Sequence, residues 1–426
     1  MDSKVQAHTL AQGHELRIEV KPDKVLLLKL VQGEAEIFGT ELALGEQLSL
    51  RGQKLAVFTW NGCTVELAAE DAQVDDVAES VYESDDTPML SYLNVHESLE
   101  QRRRAAREAG TSGRTGPRTI VVGPTDVGKS SLCRILLNYA VRTGWAPTAV
   151  DLDIGQGSIT VPGSIAATPV EGPIDVEEGM PIDLPLVFYY GHQTPTENPE
   201  LYRAVVERMS SILDKRENVD VQAAGLIINT MGFIEGLGYE LLLHAISALR
   251  ADVVLVLGQE RLFNQLKTHL RAQQRVSVVR LHSSGGVVSR TPPVRKQARM
   301  QRVKEYFYGV RGDLSPHSQT IRLDDLRIYR IGGGPRAPTS ALPIGASSVA
   351  DPIRVTPVSA SLDLMHSMLA VSHAATPDQL LSVNVAGFVL ITDVDIVQRT
   401  ITYLAPCPGS LPGRYLIAGS FKVFLE

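Results

Sequence analysis

Gly123-Pro124-Thr125-Asp126-Val127-Gly128-Lys129-Ser130 fits the phosphate-binding pattern G-x-x-x-x-G-K-[ST], and its flanks are those the pattern requires. Thr119-Ile120-Val121-Val122 upstream reads as a short buried strand. From Ser131 to Thr143, Leu132, Ile135, Leu136, Tyr139 and Ala140 recur at helical spacing. Glycines let backbone N–H groups close around an anion, and a helix that follows turns its positive end to the same charge. Gly123, Thr125, Asp126, Val127, Gly128, Lys129, Ser130 and Ser131 are therefore expected to hold a nucleoside triphosphate. Lys129 would reach the β- and γ-phosphates, and the Ser130 hydroxyl would ligate Mg²⁺.

Outward from this loop, strands and helices alternate from Arg118 to about Gly309. Strands are expected at 119–122, 148–152, 186–190, 223–229, 252–257 and 275–281. Helical patterns fall at 130–143, 199–216, 237–250, 259–271 and 294–307. Such βαβ alternation calls for a mostly parallel sheet covered on both faces. Before it, runs such as Glu15-Leu16-Arg17-Ile18-Glu19-Val20 alternate with period two and glycines punctuate them, the pattern of a small antiparallel sandwich. Glu70 to Pro88 is acidic and reads as a connector. Tyr92 to Ala109, with Gln101-Arg102-Arg103-Arg104, reads as an exposed connecting helix, and Gly110 to Pro117 as a flexible lead-in. After Arg311 short strand-like runs return among Gly and Pro.

The fold class expected is α/β: a central P-loop sheet flanked by an N-terminal β-sandwich and a small, mostly β C-terminal domain. The boundaries are 1–90 for the sandwich, 91–117 for the connection, 118–310 for the P-loop domain and 311–426 for the last domain.

With 426 residues, 44% hydrophobic and 21% charged, the chain has the composition of a soluble multidomain protein. Its three cysteines, Cys63, Cys133 and Cys407, lie far apart, which argues against structural zinc or a disulfide framework and suits a reducing compartment. Met1-Asp2-Ser3-Lys4-Val5 lacks the apolar core of a signal peptide, and no apolar run would span a bilayer, so an intracellular protein with no membrane partner is expected. A net charge of −7 argues against a surface that coats nucleic acid throughout, but a local basic site exists. Arg290, Arg295, Lys296, Arg299, Arg302 and Lys304 fall within fifteen residues that contain no acid.

Asp151-Leu152-Asp153 closes a strand, and residues i and i+2 share a face, so both carboxylates can look toward the phosphate-loop metal. One would hold Mg²⁺ and the other accept a proton from an attacking hydroxyl; which does which stays open. Gln156, in Gly155-Gln156-Gly157, would orient substrate or a metal-bound water. After Ser283-Ser284-Gly285-Gly286, Pro292-Pro293 starts a helix on which Arg295, Arg299 and Arg302 share one face, with Arg290 just before it. A glycine hinge and an arginine-faced helix, about 283–304, suit a lid over phosphates, while a solvated basic face is the plain alternative. Phe233, Tyr189, Tyr190 and His192 follow strand ends where a base can stack, although aromatics there also serve as core or rim. No N-K-x-D tetrad appears, which favours ATP over GTP.

These stretches resemble the polynucleotide 5′-hydroxyl kinases, above all the eukaryotic subfamily shared by pre-mRNA 3′-end cleavage and tRNA splicing. The resemblance rests on Gly123–Ser131, Asp151–Ser158, Asn229–Gly232, Ser283–Val288 and Lys304–Gly309, and extends to Glu15–Val20, Ala35–Leu42 and Thr87–Asn94. It covers nearly the whole chain, and the C-terminal third is least distinctive. It implies ATP- and Mg²⁺-dependent phosphorylation of a 5′-hydroxyl on RNA or DNA, protein partners in the cleavage and tRNA-splicing complexes, and a nuclear location. Carried over, Lys129 and Ser130 fall on the phosphate loop, Asp151 and Asp153 on the acidic pair, Gln156 on its Gln, and Arg290, Arg295 and Arg299 on the lid. Glu15 and Lys54 match positions implicated in holding the adenine. The family has Trp where this chain has Phe233, which keeps a π-face for stacking but offers less area.

Beside the phosphotransferase stands a rival: a nucleotide-loaded scaffold in which bound ATP stabilises the fold, by roughly 4 kcal/mol at a thousandfold saturation. An ATPase motor or GTPase switch lacks a recognisable water-positioning residue and gives no reason for the lid.

Overall fold

A computed structural model of the chain describes residues 5–70, 72–110, 115–181, 183, 185–273, 275–332, 351–359 and 361–425. Its centre is a seven-stranded sheet of β1 (Arg118–Val122), β2 (Thr148–Asp151), β3 (Ser164–Pro169), β4 (Leu186–Tyr189), β5 (Leu226–Asn229), β6 (Val253–Leu257) and β7 (Ser277–Leu281), in the order β4-β3-β2-β5-β1-β6-β7. The run β2-β5-β1-β6-β7 is parallel. Asn229 lies level with both Val121 and Asp151, so the ends of β1, β2 and β5 deliver their loops to one edge. That edge is where ligands sit in open α/β sheets.

Seven helices are labelled here: α1 (Met89–Ala109), α2 (Lys129–Arg142), α3 (Pro199–Leu213), α4 (Val219–Ala224), α5 (Leu237–Ala248), α6 (Glu260–His269) and α7 (Pro292–Tyr308). Four local expectations are corrected. The strand expected from 223 begins at Leu226, because Asn218 caps α4 by accepting from the Asp220 and Val221 amides, and Gly225, at φ +76°, turns the chain into β5. β3 escaped the sequence reading, and with β4 it extends the sheet in antiparallel fashion. No helix joins β2 to β3, so the alternation that signals parallel neighbours is missing there.

Most instructive is α1, expected to be exposed. Its Tyr92, His96, Leu99, Arg103 and Ala106 are buried, and Arg103, 0% exposed, donates from Nε to the Ala224 carbonyl at 3.0 Å. A charge in the middle of the buried stripe hid its helical periodicity.

The N-terminal domain is a sandwich of a four-stranded and a five-stranded sheet. The Glu70–Pro88 segment is more than a connector. Ala78–Ser84 pairs antiparallel with Glu15–Val20 at the sheet edge, with Glu79 and Glu83 facing solvent as charges on edge strands commonly do. Between β3 and β4, Val176 enters the sandwich core, while the Ser49 amide donates to Glu177 Oε1 at 2.7 Å and Thr40 Oγ1 to the Ile174 carbonyl at 2.8 Å. The sandwich is thus stapled to the central domain.

The C-terminal domain is a second seven-stranded sheet from His317 to Lys422. It docks on β4, where the Ser420 amide donates to the Gly191 carbonyl at 2.8 Å and Tyr189 Oη to the Met368 carbonyl at 3.2 Å. A Cβ on Gly419 would lie 2.6 Å from Gly191 Cα, so both glycines serve close approach. The lead-in residues 111–114 lie outside the described residues. No helix among the described residues is long and apolar enough to cross a membrane.

Candidate active site

The phosphate loop runs from β1 into α2. Gly123 adopts φ +154° and a Cβ there would meet the Leu257 carbonyl at 2.5 Å; Gly128 adopts φ +91°. Both positions need glycine, one for space and both for conformation. Lys129 is buried, and its Nζ donates to the Pro124 carbonyl at 2.6 Å. Burial lowers its pKa, against the pull of Asp153. Its ammonium is thus held at the mouth of an anion cradle.

The two carboxylates of the next strand differ sharply. Asp151 is buried and saturated: Oδ1 accepts from the Asp153 amide at 3.0 Å and Asn229 Nδ2 at 3.1 Å, Oδ2 from the Ser158 amide at 2.6 Å and Ser158 Oγ at 2.8 Å. Asp153 Oδ1 accepts from the Gly155 and Gln156 amides, both at 3.0 Å, while Oδ2 accepts nothing from the described residues. Burial, then the Asp151 charge, push its pKa up to about 6. Ser158 and Asn229 did not stand out in the sequence as site residues; both lie in the stretches that carry the resemblance, DLDIGQGS and NTMG.

The lid is closed onto the phosphate loop by a residue inside that loop. Asp126, at φ +58° and with a side chain only 4% exposed, accepts from the Arg290 amide at 2.9 Å, Arg290 Nε at 3.0 Å and Arg295 Nη2 at 2.7 Å. Burial opposes its charge, but the Arg290 amide and the two guanidinium groups hold the carboxyl below the usual carboxylate range. Asp126 was expected to serve the nucleotide directly; its side chain is instead committed to the lid. Arg299 keeps a buried Nε without a partner among the described residues, as does Arg295. Burial and Arg295 lower the Arg299 pKa, and Asp153 raises it; Arg299 and Asp153 line the same cleft. Arg302 reaches the Ser158 carbonyl, joining lid and acidic loop.

Most of these groups line a cleft of about 1350 Å³ between the central domain, the sandwich and the lid, while Asp151 and Arg295 stand behind its wall. That exceeds the roughly 300–1,000 Å³ of a small-molecule pocket, leaving room for a second substrate beside a nucleotide. Thr125, Asp126, Val127, Gly128, Lys129, Ser130, Ser131, Asp153, Gln156, Arg290, Arg299, Glu15 and Lys54 all line it. Glu15 is buried, taking Arg17 Nε at 2.6 Å and Thr87 Oγ1 at 2.7 Å, and Lys54 bonds Glu19 at 2.6 Å.

Of the stacking candidates, Phe233 is 38% exposed and follows Gly232, whose Cβ would lie 2.6 Å from Thr125 Cα; it stands next to the phosphate loop. His192 is drawn toward the C-terminal domain, its Nδ1 2.8 Å from Ser420 Oγ and 2.9 Å from Glu197. Its loop still borders the acidic one, since a Cβ on Gly155 would lie 3.6 Å from the Gln193 carbonyl. Tyr189 and Tyr190 are core residues.

The donors fit a hydrated Mg²⁺. That ion keeps several waters and needs one or two carboxylates beside substrate phosphates. The Ser130 hydroxyl faces the cleft and Asp151 lines the small space behind it. A saturated Asp151 suits contact through water rather than direct ligation.

Comparison with known proteins agrees throughout the chain. Residues 123–309 match the family described as mRNA cleavage and polyadenylation factor CLP1 P-loop, 314–425 match pre-mRNA cleavage complex II protein Clp1, and 9–106 match the N-terminal beta-sandwich domain of polyadenylation factor. Protein CLP1 homolog of Arabidopsis thaliana is 54% identical over 420 residues, covering 96% of this chain and 92% of its own. Polyribonucleotide 5′-hydroxyl-kinase Clp1 of Homo sapiens is 45% identical over 412 residues, covering 96% and 94%. The solved complex of wild-type Clp1p with Pcf11p (454–563) contains a chain that superposes with a TM-score of 0.83 at 25% identity, covering 100% of this chain and 99% of that one. A nucleotide-binding P-loop core, a fused β-sandwich and a C-terminal β domain, matched along nearly the full length at such identity, make this chain a member of the Clp1 family.

Proposed function

We propose that this protein is an ATP-dependent polynucleotide 5′-hydroxyl kinase that acts on RNA ends, and on DNA ends as a second substrate. The observation that carries the reading is Asp153: a carboxylate with one free oxygen and a raised pKa, beside the phosphate-loop Lys129 and in one cleft with Arg299 of the lid. A base that works near neutral pH needs those properties, and the arginines supply what phosphoryl transfer needs.

In the proposed reaction, the loop amides and Lys129 take the β- and γ-phosphates, with Lys129 exchanging the Pro124 carbonyl for phosphate oxygens. The 5′-hydroxyl attacks the γ-phosphorus in line and loses its proton to Asp153 Oδ2, while the bond to the β-phosphate oxygen breaks and ADP leaves. Arg290, Arg295 and Arg299 stabilise the charge spread over the transferred oxygens. Mg²⁺, held by Ser130 and through water by Asp151, would neutralise charge between the β- and γ-phosphates. Gln156 orients the substrate end, Phe233 stacks a base, and His192 lines the approach. Glu15 and Lys54 serve the nucleobase end.

Domain limits at 1–90, 91–117, 118–310 and 311–426 suit these roles. Relatives named for pre-mRNA cleavage, one solved with Pcf11p, support work in the nucleus within a 3′-end cleavage complex. A role in tRNA splicing follows from the sequence resemblance alone. Transfer of label from γ-labelled ATP to a 5′-hydroxyl oligoribonucleotide tests the reading; ATP hydrolysis indifferent to RNA ends would overturn it.

A further inference from the structure

The lid begins at Ser283-Ser284-Gly285-Gly286, and neither glycine has the positive φ that would demand glycine for conformation. What they meet explains them. A Cβ on Gly286 would lie 2.8 Å from Cδ and from Nε of Arg17, and one on Gly285 would lie 3.2 Å from Arg17 Nη1. Arg17 belongs to the sandwich, on the strand Glu15–Val20, and its side chain is fixed at both ends. Nε donates to buried Glu15 at 2.6 Å, Nη2 to the Asp86 carbonyl at 2.6 Å, and the guanidinium lies 5.7 Å from the Tyr82 ring centre. The arginine is therefore a rigid strut whose stem forms the floor under the hinge.

Beyond the hinge the contacts continue into the phosphate loop. The Gly286 amide is held by Ser284 Oγ at 3.1 Å, and a Cβ on Gly128 would touch Val287 at 3.4 Å. Four residues past Gly286, Arg290 binds Asp126. Arg17 donates nothing to the phosphate loop, the acidic pair or the lid arginines. Its place is against the one segment whose stance sets where those arginines point.

We propose that Arg17 is a positioning residue for the lid: packed against Gly285 and Gly286, it fixes the hinge so that Arg290, Arg295 and Arg299 meet the transferred phosphate. This rests on the kinase reading. Because Glu15 lines the same cleft and orients Arg17, the sandwich wall of the nucleotide cleft is mechanically joined to the lid. The glycines follow from the strut: any side chain at 286 would push the lid away from it.

The test is a double-mutant cycle of Arg17→Ala and Gly286→Ala in the full chain, with kcat and KM for ATP measured on a 5′-hydroxyl oligoribonucleotide. Amide hydrogen exchange of 284–299 is followed without nucleotide. Each single variant is expected to lose about tenfold in kcat, with KM for ATP shifted less than about threefold. The double variant should be no slower than Arg17→Ala alone, because the added methyl then meets no stem. Faster exchange in 284–299, with unchanged exchange in the sandwich strands, is expected for Arg17→Ala. Losses that multiply in the double variant, or faster exchange spread through the sandwich, would overturn the proposal. A wild-type chain that labels no RNA while Arg17→Ala still loosens the lid would sink the kinase reading and leave the strut intact.

Discussion

Asp126 in the phosphate loop and Arg295 on the lid helix, 169 residues apart in the chain, meet in an ion pair of 2.7 Å. A buried carboxylate therefore occupies a lid arginine that, in the proposed reaction, also serves the γ-phosphate. Breaking one partner of such a pair leaves the other charge uncompensated, so the pair keeps the lid down while no phosphate is present. In the proposed reaction, ATP binding exchanges one anion for another.

Asp126→Asn is accordingly expected to tighten ATP binding several-fold, about 1 kcal/mol, because a like charge next to the phosphates is gone and two guanidinium groups are released. Isothermal titration checks this. Weaker binding would mean that Asp126 presents the arginines to the phosphate instead of competing for them.

Asp153, its pKa pushed up to about 6, sets a pH signature. The base form is the ionised one, so transfer should rise with pH through an apparent pKa near 6 and level off above 7, in single-turnover measurements that isolate chemistry. A rate still at its plateau at pH 5 would remove Asp153 from the role of base.

The same shift has a sign for stability. The folded pKa of Asp153 lies above the roughly 3.9 of an unfolded Asp, so the native state holds this proton more tightly and ionisation costs stability as pH rises from about 4 to 6. Asp153→Asn should therefore be more stable than the wild type at pH 7, by about 1–3 kcal/mol, with the gain shrinking as pH falls from about 6 to 4. Asp151→Asn should go the other way, because a saturated carboxylate loses its fit to the Ser158 amide and hydroxyl. Thermal melts of both variants across pH decide it; equal shifts would erase the distinction between the two.

Gly232 and Phe233 are neighbours with separable roles. Gly232→Ala would drive a methyl into Thr125 of the phosphate loop, so loss of ATP binding is expected. Phe233→Ala should leave ATP binding intact and raise KM for RNA, by an amount on the order of the 1–3 kcal/mol of a stacked base. An RNA KM unmoved by Phe233→Ala would assign the ring to packing.

Much of this was legible in the chain because its signals are local. The loop Gly123–Ser130, the Asp151–Asp153 spacing and the arginine face of α7 each lie within one turn or one strand end. What was not legible depends on partners brought together by the fold. Arg290 and Asp126 are 164 residues apart, and no periodicity reports their meeting. Arg103 looked like part of a solvated charge run because burial of a cation contradicts the usual polarity rule. Ala78–Ser84 looked like a connector because an edge strand carries charges that mask alternation. The Arg17–Gly286 contact left only one trace, two adjacent glycines, which read as flexibility when they mark a space. The proposal that Asp153 takes the proton rests on hydrogen-bond saturation, a property that spacing cannot express.

In the proposed reaction, Lys129, Asp153 and the lid transfer the γ-phosphoryl group to a polynucleotide end. The most direct measurement is transfer of label from γ-labelled ATP to a short 5′-hydroxyl RNA, comparing the native chain with Lys129→Ala and with a 5′-phosphorylated RNA. The account expects label only with the native chain and only on the 5′-hydroxyl end. Equal labelling by Lys129→Ala, or no labelling by a native chain that binds ATP, would contradict it.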